Sequence, residues 1–495
     1  MDSRRISLES EAETIRLGED IALALKPGDC LALSGDLGAG KSTFARAVIR
    51  AVADDDGLEV PSPTFTLVQT YPLRLPIAHF DLYRIADPSE IDELGFDEAL
   101  ADGACLVEWP ERAGDVLPDT AVTLCFQHEG EGRTVEISGG ADLIERIGRT
   151  LSIRAFLSVA GYAKARRRHL TGDASVRAYE RITAGQVRYI LMDSPRHKPG
   201  PILRDGKYYQ QIAHIAEDVT AFVAVGRHLK ARGFAAPAIY REDLGQGILL
   251  IEDLGSGGVL DAAGMPVPER YLESAACLAR LHGQPVHAEL PVGNGETYRI
   301  PDFDRDAMQI EASLLIDWYL PWKRGSAASE EERDEYQAIW DALIGELRSA
   351  ERNLLLRDFH SPNIIWRDDR SGTDRVGIID FQDAMIGPTA YDLASLVQDA
   401  RTDISEPLAD RMMQHYLTLR AESGRFDRNA FLRDWHIMAA QRNCKLAGIW
   451  VRLMRRDGKP GYMKHMPRTF RNLQAALAHP ALSDLREWCI GTEIL

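Results

Sequence analysis

One eight-residue stretch limits what this chain can fold into: Gly35-Asp36-Leu37-Gly38-Ala39-Gly40-Lys41-Ser42. A glycine, four residues, then Gly-Lys-Ser is the P-loop spacing. Glycines let backbone N–H groups turn inward around a polyphosphate. Lys41 brings a mobile positive charge to the β- and γ-phosphates, and the Ser42 hydroxyl can ligate magnesium. Thr43 continues the same turn, where a helix N-terminus adds its positive dipole. Cys30-Leu31-Ala32-Leu33 reads as a buried strand just before the loop, and residues 42–53 read as a helix just after it. The unit predicts a site for ATP or GTP with Mg2+, with Gly35 to Thr43 as its nucleotide contacts.

The loop accounts for only the first third of the protein, and 495 residues favour two or three domains. A net charge of −17 argues against nonspecific coating of nucleic acid and favours a soluble protein. The six cysteines are scattered with no C-x-x-C pair, which suits a reducing cytosol and gives no zinc site. The start, Met1-Asp2-Ser3-Arg4-Arg5, leads into an acidic amphipathic stretch, and no apolar run is as long as a membrane span. The expectation is a cytoplasmic protein without a membrane partner.

Around the P-loop, residues 9–26 read as a helix and residues 60–68 as a proline-stiffened loop running into a strand. Ile77-Ala78-His79-Phe80-Asp81-Leu82-Tyr83 is a strand with Asp81 near its end. Cys105-Leu106-Val107-Glu108-Trp109 is another, ending in Glu108. Alternating strands and helices predict a mainly parallel sheet with its ligand at the strand C-termini. There Asp81 and Glu108 either hold magnesium and orient a water, or are solvated loop acids. Thr64 is either a hydroxyl that senses the γ-phosphate or a turn threonine.

The runs GDLGAGKST, SPTFTLV, HFDLYR and LVEWPER, in this order, resemble the small ATPases of tRNA threonylcarbamoyladenosine biosynthesis, the TsaE family. The resemblance implies an ATPase serving a threonylcarbamoyl-transferase complex that modifies the adenosine next to the anticodon, with tRNA touched only indirectly. It also implies Ser42, Asp81 and Glu108 as magnesium or catalytic residues. Thr14 and Arg133 fall where such proteins contact the nucleotide. Ser42 replaces a threonine common in that family, and the hydroxyl survives.

Ser138-Gly139-Gly140 closes this first domain, expected to span 1–148. Residues 141–165 read as a helical stretch interrupted near Ser152, followed by the basic run Lys164-Ala165-Arg166-Arg167-Arg168-His169. That run is either an RNA contact or a solvated helix end. No Gly/Ser-rich tether is visible.

The second domain is expected over 152–495. Residues 177–182 and 187–193 read as a β-hairpin, preceded by Thr171-Gly172-Asp173-Ala174-Ser175, a turn suited to capping phosphates through Gly172, Asp173 and Ser175. Residues 207–232 read as one amphipathic helix. Residues 247–255 read as a buried strand entering a hinge, where Glu252 and Leu254 are expected nucleotide contacts. From residue 269 the chain reads as mostly helical with one interruption, around 355–383. Within it, Asp358 and Asn363 lie five apart on a loop, and Asp380 ends the next strand. That is the layout of a kinase catalytic loop plus its metal aspartate. Asp358 would accept the proton of a substrate hydroxyl, and Asn363 and Asp380 would hold Mg2+ against ATP.

GDAS, YILMDSP, IEDLG, RDFHSPNI, IIDFQDA and YDLASLV resemble the aminoglycoside phosphotransferase-like kinases, and within them the cell-wall amino-sugar kinases (AmgK). The resemblance implies a bilobal protein-kinase-like α+β domain after the P-loop NTPase domain. It also implies phosphorylation of the anomeric hydroxyl of N-acetylmuramate or N-acetylglucosamine. Two residues depart from the kinase pattern. Leu356 stands where many such kinases have a histidine. Met192 stands where a strand lysine grips the α/β-phosphates, so that charge must be met by magnesium, by backbone groups at 172–175, or by a cation such as Arg177 or Arg188.

Three function classes follow: a bifunctional ATPase and sugar kinase, an aminoglycoside or small-alcohol phosphotransferase with a regulatory P-loop domain, and a binding-only regulator. Residues 433–471 carry ten Arg or Lys against two Asp, a net +8. That suits an anionic acceptor better than a polycationic one, although an exposed basic helix explains it equally. A binding-only protein predicts a broken catalytic loop, and Asp358, Asn363 and Asp380 are all present.

Overall fold

The computed structural model describes residues 4–170, 177–196, 200–293, 295–422, 424 and 426–495. Among them, no helix is long and apolar enough to cross a membrane.

The first sheet is built by alternation. Along β2 (Cys30–Gly35), Leu31 and Leu33 enter one apolar core while Cys30 enters the other. Successive side chains of a strand point to opposite faces, so a strand buried on both sides is apolar throughout. With β1 (Arg4–Leu8), β3 (Val68–Tyr71), β4 (Ile77–Asp81), β5 (Ala104–Glu108), β6 (Val122–Glu129) and β7 (Gly132–Gly139), it forms a seven-stranded sheet of order β1-β7-β6-β2-β5-β4-β3. The inner strands β6, β2, β5 and β4 run parallel, and β1, β7 and β3 are antiparallel additions at the edges. Helices α1 (Glu11–Ala22) and α2 (Lys41–Ala53) cover the face lined by Leu31, Leu33 and Leu106.

Helix α3 (Ala141–Val159) runs without the break expected near Ser152, whose hydroxyl bonds back to the Gly148 carbonyl at 3.0 Å. Its first half puts Leu143 and Ile147 into the core under the seven-stranded sheet. Its second half puts Ile153, Phe156 and Leu157 under a second sheet. Each such burial stabilises by roughly 1.5–3 kcal/mol. The division expected at 148–152 therefore falls inside one helix. The first compact unit continues to Asp193 and takes in residues 241–243 and 248–251.

The second sheet holds β8 (Arg166–Leu170), β9 (Ala178–Ala184), β10 (Val187–Asp193), β11 (Ile239–Asp243) and β12 (Ile248–Glu252), in the order β11-β12-β10-β9-β8. Most of the basic run is thus a strand and not a helix end, with Lys164 and His169 exposed and Arg167 and Arg168 turned inward. Arg167 is fully buried. It donates to Asp20 at 2.7 Å and to both oxygens of Glu180 at 2.7 and 2.8 Å, while Arg154 holds the other Asp20 oxygen at 2.9 Å. Arg168 pairs with Glu19 at 2.9 Å and Asp56 at 2.6 Å. The cations are interior because carboxylates distant in sequence come to meet them.

The second compact unit comprises Ser194–Tyr240, Leu244–Gly247 and Glu252–Leu495. The single helix expected over 207–232 is broken. A short turn at Tyr209–Ile212 ends at His214, whose φ is +51°. Helix α4 (Thr220–Ala231) then starts afresh with the Asp218 carboxylate accepting from Thr220 N at 2.9 Å. A hairpin of Glu289–Gly293 with Glu296–Arg299 adds an interruption to the helical stretch that the sequence did not reveal. Beyond α5 (Arg305–Ala312), β13 (Arg352–Leu355) pairs with β16 (Met385–Pro388), and β14 (Ile364–Trp366) with β15 (Val376–Ile378). Helices α6 (Ala390–Val397) and α7 (Arg428–Arg455) pack together beside them.

Candidate active sites

In the first unit, register does the positioning. Asp81 on β4 and Glu108 on β5 are direct partners across parallel strands, and Leu33 on β2 is the partner of Glu108 on the other side. Both carboxylates therefore emerge beside the P-loop that leaves β2. The loop runs close to its neighbours. Gly35 (φ +129°) and Gly40 (φ +110°) have backbone conformations that side chains resist. A Cβ on Gly35 would stand 2.3 Å from Phe126 O, and one on Gly40 2.3 Å from Arg133 Nη1. Arg133 thus reaches the P-loop. Thr14 is buried in α1.

Lys41 Nζ donates to Gly35 O at 2.6 Å and Asp36 O at 2.9 Å, and lies 3.8 Å above the Trp109 ring. Burial lowers its pKa, and Glu108 is the strongest of the carboxylates opposing that shift. Ser42 Oγ donates to Glu108 Oε2 at 2.9 Å, and His79 Nε2 meets Glu108 Oε1 at 2.9 Å with both side chains buried. Asp81 Oδ2 accepts from Thr64 Oγ1 at 2.7 Å and Ser62 Oγ at 3.2 Å. Lys41, Ser42, Ser62, Thr64, Asp81, Glu108 and Trp109 surround a cavity of about 310 Å3 that also touches Leu37, Gly38, Thr43 and Tyr83. The oxygens of Ser42, Asp81 and Glu108 are hard donors, a set that fits magnesium. His79, Ser62 and Trp109 were not singled out from the sequence. His79 could have been: on a strand it shares its face with Asp81, two residues on.

In the second unit, β13 and β14 hold the catalytic-type loop between them. Arg357 has φ +68° and Asp380 φ +61°, each a strained conformation for a residue with a Cβ. The first is pinned by Asp392 of α6, whose two oxygens accept from Leu356 N at 2.7 Å and Arg357 N at 2.9 Å. Leu356 is buried there in place of the histidine. Asn363 Nδ2 donates to Asp358 O at 2.9 Å and to Asp380 Oδ2 at 3.2 Å, which leaves its amide oxygen as the ligand atom. Gln382 holds the other Asp380 oxygen at 2.8 Å. Asp380 and Asn363 are two oxygen donors, the few-ligand set that suits magnesium carried with phosphates.

Burial pushes the pKa of Asp358 up, but Lys445, His360, Arg357 and Arg442 more than reverse this and hold it at about 2. His360 is pushed below its ordinary range by burial, so at neutral pH the field on Asp358 is that of the permanent cations. Behind it lies a buried network. Glu311 of α5 takes Arg357, takes Lys445 of α7 at 2.8 Å and takes Gln441 at 3.1 Å. Glu311, Lys445, Asp392 and Arg442 were missed in the sequence, although Asp392 lies inside the run YDLASLV.

The remaining expected residues divide. The Glu252 carboxylate accepts from Ala238 N at 3.0 Å and Lys230 at 3.2 Å, so its side chain is already committed. Leu254 packs by Gly377 of β15. Met192 is buried on β10 opposite Tyr179. Arg188 is exposed near the hairpin turn, four residues along the same strand, roughly 13 Å away by strand rise. Arg188 does not stand in for the lysine. Gly172, Asp173 and Ser175 lie outside the described residues.

Comparison with known proteins divides the chain between residues 135 and 167, ahead of the end of the first compact unit at Asp193. The family model described as threonylcarbamoyl adenosine biosynthesis protein TsaE matches residues 8–135, and that of the phosphotransferase enzyme family matches residues 167–427. An N-acetylmuramate/N-acetylglucosamine kinase of Caulobacter vibrioides is 34% identical over 345 residues, 68% of this chain and 94% of that protein. A tRNA threonylcarbamoyladenosine biosynthesis protein TsaE of Rickettsia bellii is 43% identical over 112 residues, 22% of this chain and 77% of that protein. One from Rickettsia conorii is 47% identical over 106 residues, 21% of this chain and 60% of that protein. The chain belongs to the TsaE family in its first part and to the phosphotransferase enzyme family in the rest.

Proposed function

We propose that the chain is a bifunctional cytoplasmic enzyme. Its first part is an ATPase that supports threonylcarbamoyladenosine modification of tRNA, and the rest phosphorylates the anomeric hydroxyl of an amino sugar, N-acetylmuramate or N-acetylglucosamine. The observation that carries the kinase reading is Asp358, ionised beside Asn363 and Asp380. Asp358 accepts the hydrogen bond of the acceptor hydroxyl and takes its proton as the oxygen bonds to the γ-phosphorus and ADP leaves. A carboxylate with so low a pKa is a weak base. It suits a loose transition state, in which the proton moves late, and an anomeric hydroxyl, which the ring oxygen makes more acidic than an ordinary alcohol. Asn363 and Asp380 would hold the magnesium, whose charge neutralises the phosphates in a domain that has Met192 in place of lysine.

In the first part, backbone N–H groups of residues 38–43 and Lys41 would hold the phosphates, and Ser42 and Asp81 the magnesium. Glu108, fixed by His79, would orient the attacking water. This ATPase docks on subunits of a threonylcarbamoyl-transferase complex and turns over slowly alone. A native pull-down that recovers no such subunit, with full hydrolysis by the isolated protein, would overturn that part. For the kinase, the purified protein is screened for ATP consumption against amino sugars, aminoglycosides and choline-like alcohols. The expected product is a sugar 1-phosphate, recognised by phosphorus coupling to the anomeric proton. Phosphate on any other hydroxyl defeats the assignment.

A further inference from the structure

Two cations of α7 lie one turn apart near the catalytic loop, Arg442 and Lys445, and they differ in one respect. Lys445 is neutralised, its Nζ 2.8 Å from Glu311 and 3.4 Å from the Tyr391 hydroxyl. Arg442 is 2% exposed, yet among the described residues it has no ion pair. Its one hydrogen bond is to the carbonyl of Gln398, at 3.5 Å. The other cations of the basic segment are accounted for differently. Arg433 pairs with Asp434, Arg456 with Asp457, and Arg468 and Arg471 with Asp403; Arg452 is half-buried over the Tyr209 ring, and Arg455, Lys459 and Lys464 face solvent. A guanidinium out of water without an anion is costly unless a ligand supplies one.

The position of Arg442 is set by residues that build the loop. Gln398 is also gripped by Asn443 at 2.7 Å. The next residue, Asp399, accepts from Ser361 N at 2.8 Å, inside the run from Asp358 to Asn363. The charge of Arg442 is felt at both Asp358 and His360. The field beside the base thus contains one buried, planar, two-pronged donor that no protein carboxylate uses.

We propose that Arg442 is the specificity residue for the acceptor: its guanidinium binds the carboxylate of an acidic amino sugar, so that the kinase prefers N-acetylmuramate to N-acetylglucosamine. This rests on the amino-sugar kinase reading. The two sugars differ by a lactyl carboxylate on carbon 3, on the same ring as the anomeric hydroxyl offered to Asp358.

The test is steady-state kinetics of the full chain and of Arg442→Gln and Arg442→Lys, with each sugar and with varied ATP. Because Arg442 also acts on Asp358, kcat should change alike for both sugars, and the specific effect of Arg442→Gln should be a KM for N-acetylmuramate raised roughly 10- to 100-fold more than that for N-acetylglucosamine. Arg442→Lys should recover part of the loss. Equal rises in KM for both sugars would mean a structural role, and a raised KM for ATP would mean a phosphate contact; either overturns the proposal. A second measurement needs no variant. With the native protein, N-acetylmuramate should inhibit N-acetylglucosamine phosphorylation roughly 10- to 100-fold better than its carboxamide analogue, which keeps the shape without the charge. Equal inhibition refutes the inference even if the variants fail to fold. If the native protein phosphorylates neither sugar, the kinase reading itself fails, and the inference with it.

Discussion

Glu108 sits between a histidine and a serine hydroxyl, and Asp81 between a serine and a threonine. Asp358 sits in the field of Lys445, Arg357 and Arg442. The P-loop carboxylates are held by groups that give hydrogen bonds and can be exchanged for a metal or a water. Lys41 beside them is bonded to its own loop carbonyls and reaches a phosphate by trading two hydrogen bonds. The catalytic-loop carboxylate is held by fixed charges, of which Arg357 and Lys445 are braced by Glu311. The contrast teaches that the first site assembles its electrostatics around its ligand, whereas the second brings a finished field to it.

The largest test of that contrast is Asp358→Asn. It should lower sugar phosphorylation by about 10³–10⁴ in kcat with KM for ATP nearly unchanged, and leave hydrolysis at the P-loop intact. Near-normal turnover would remove Asp358 as the base. Next, Lys41→Ala should lower P-loop hydrolysis by about 10²–10³ while phosphorylation stays within twofold. Loss of both activities in a folded protein would mean that the sites are not independent.

Third is Glu311→Gln, which leaves Arg357 and Lys445 uncompensated and should cost about 3–5 kcal/mol in denaturant unfolding. Burial raises the pKa of Glu311, but Arg357 and Lys445 overcome this and hold it at about 2, below its ordinary 4.5. A depressed carboxylate contributes stability that is present above about pH 4.5 and is lost as pH falls towards 2. The native protein should therefore lose stability across that window, and Glu311→Gln should lose less. Equal slopes would show that the field does not depend on Glu311. The smallest effect expected is for His79→Asn, roughly tenfold slower hydrolysis through a misoriented Glu108, with phosphorylation unaffected. Unchanged hydrolysis would show that Ser42 alone positions Glu108.

What the sequence made legible follows from distance along the chain. The P-loop is contiguous, and Asp358, Asn363 and Asp380 fall within 23 residues, so spacing and strand ends were enough to find them. Asp81 and Glu108 were found as strand ends, but that they are register partners required the sheet. The charge network was hidden because its members are far apart: Arg357 meets Glu311 across 46 residues, and Arg167 meets Asp20 across 147. For the same reason a run of arginines looked solvated. The acids that bury it are on other elements, and a basic run carries no mark of which of its members turns inward. The break at His214 was hidden because a left-handed histidine leaves no periodic signal in an otherwise apolar stretch.

Helix α3 lends one half to each of two cores, and Arg167 and Arg154 fasten the second sheet to Asp20 beside the first. A chain begun at residue 167, where the phosphotransferase match starts, would lack Ile153, Phe156 and Leu157 and would leave Ile182, Leu191, Ile248 and Leu250 facing water. Clipping the polypeptide at its family seam would therefore strip the second sheet of part of its core. A protease that opens α3 would disturb both cores in one event, and with them the proposed ATPase and the proposed kinase. Carried on one polypeptide, the two are supplied one to one.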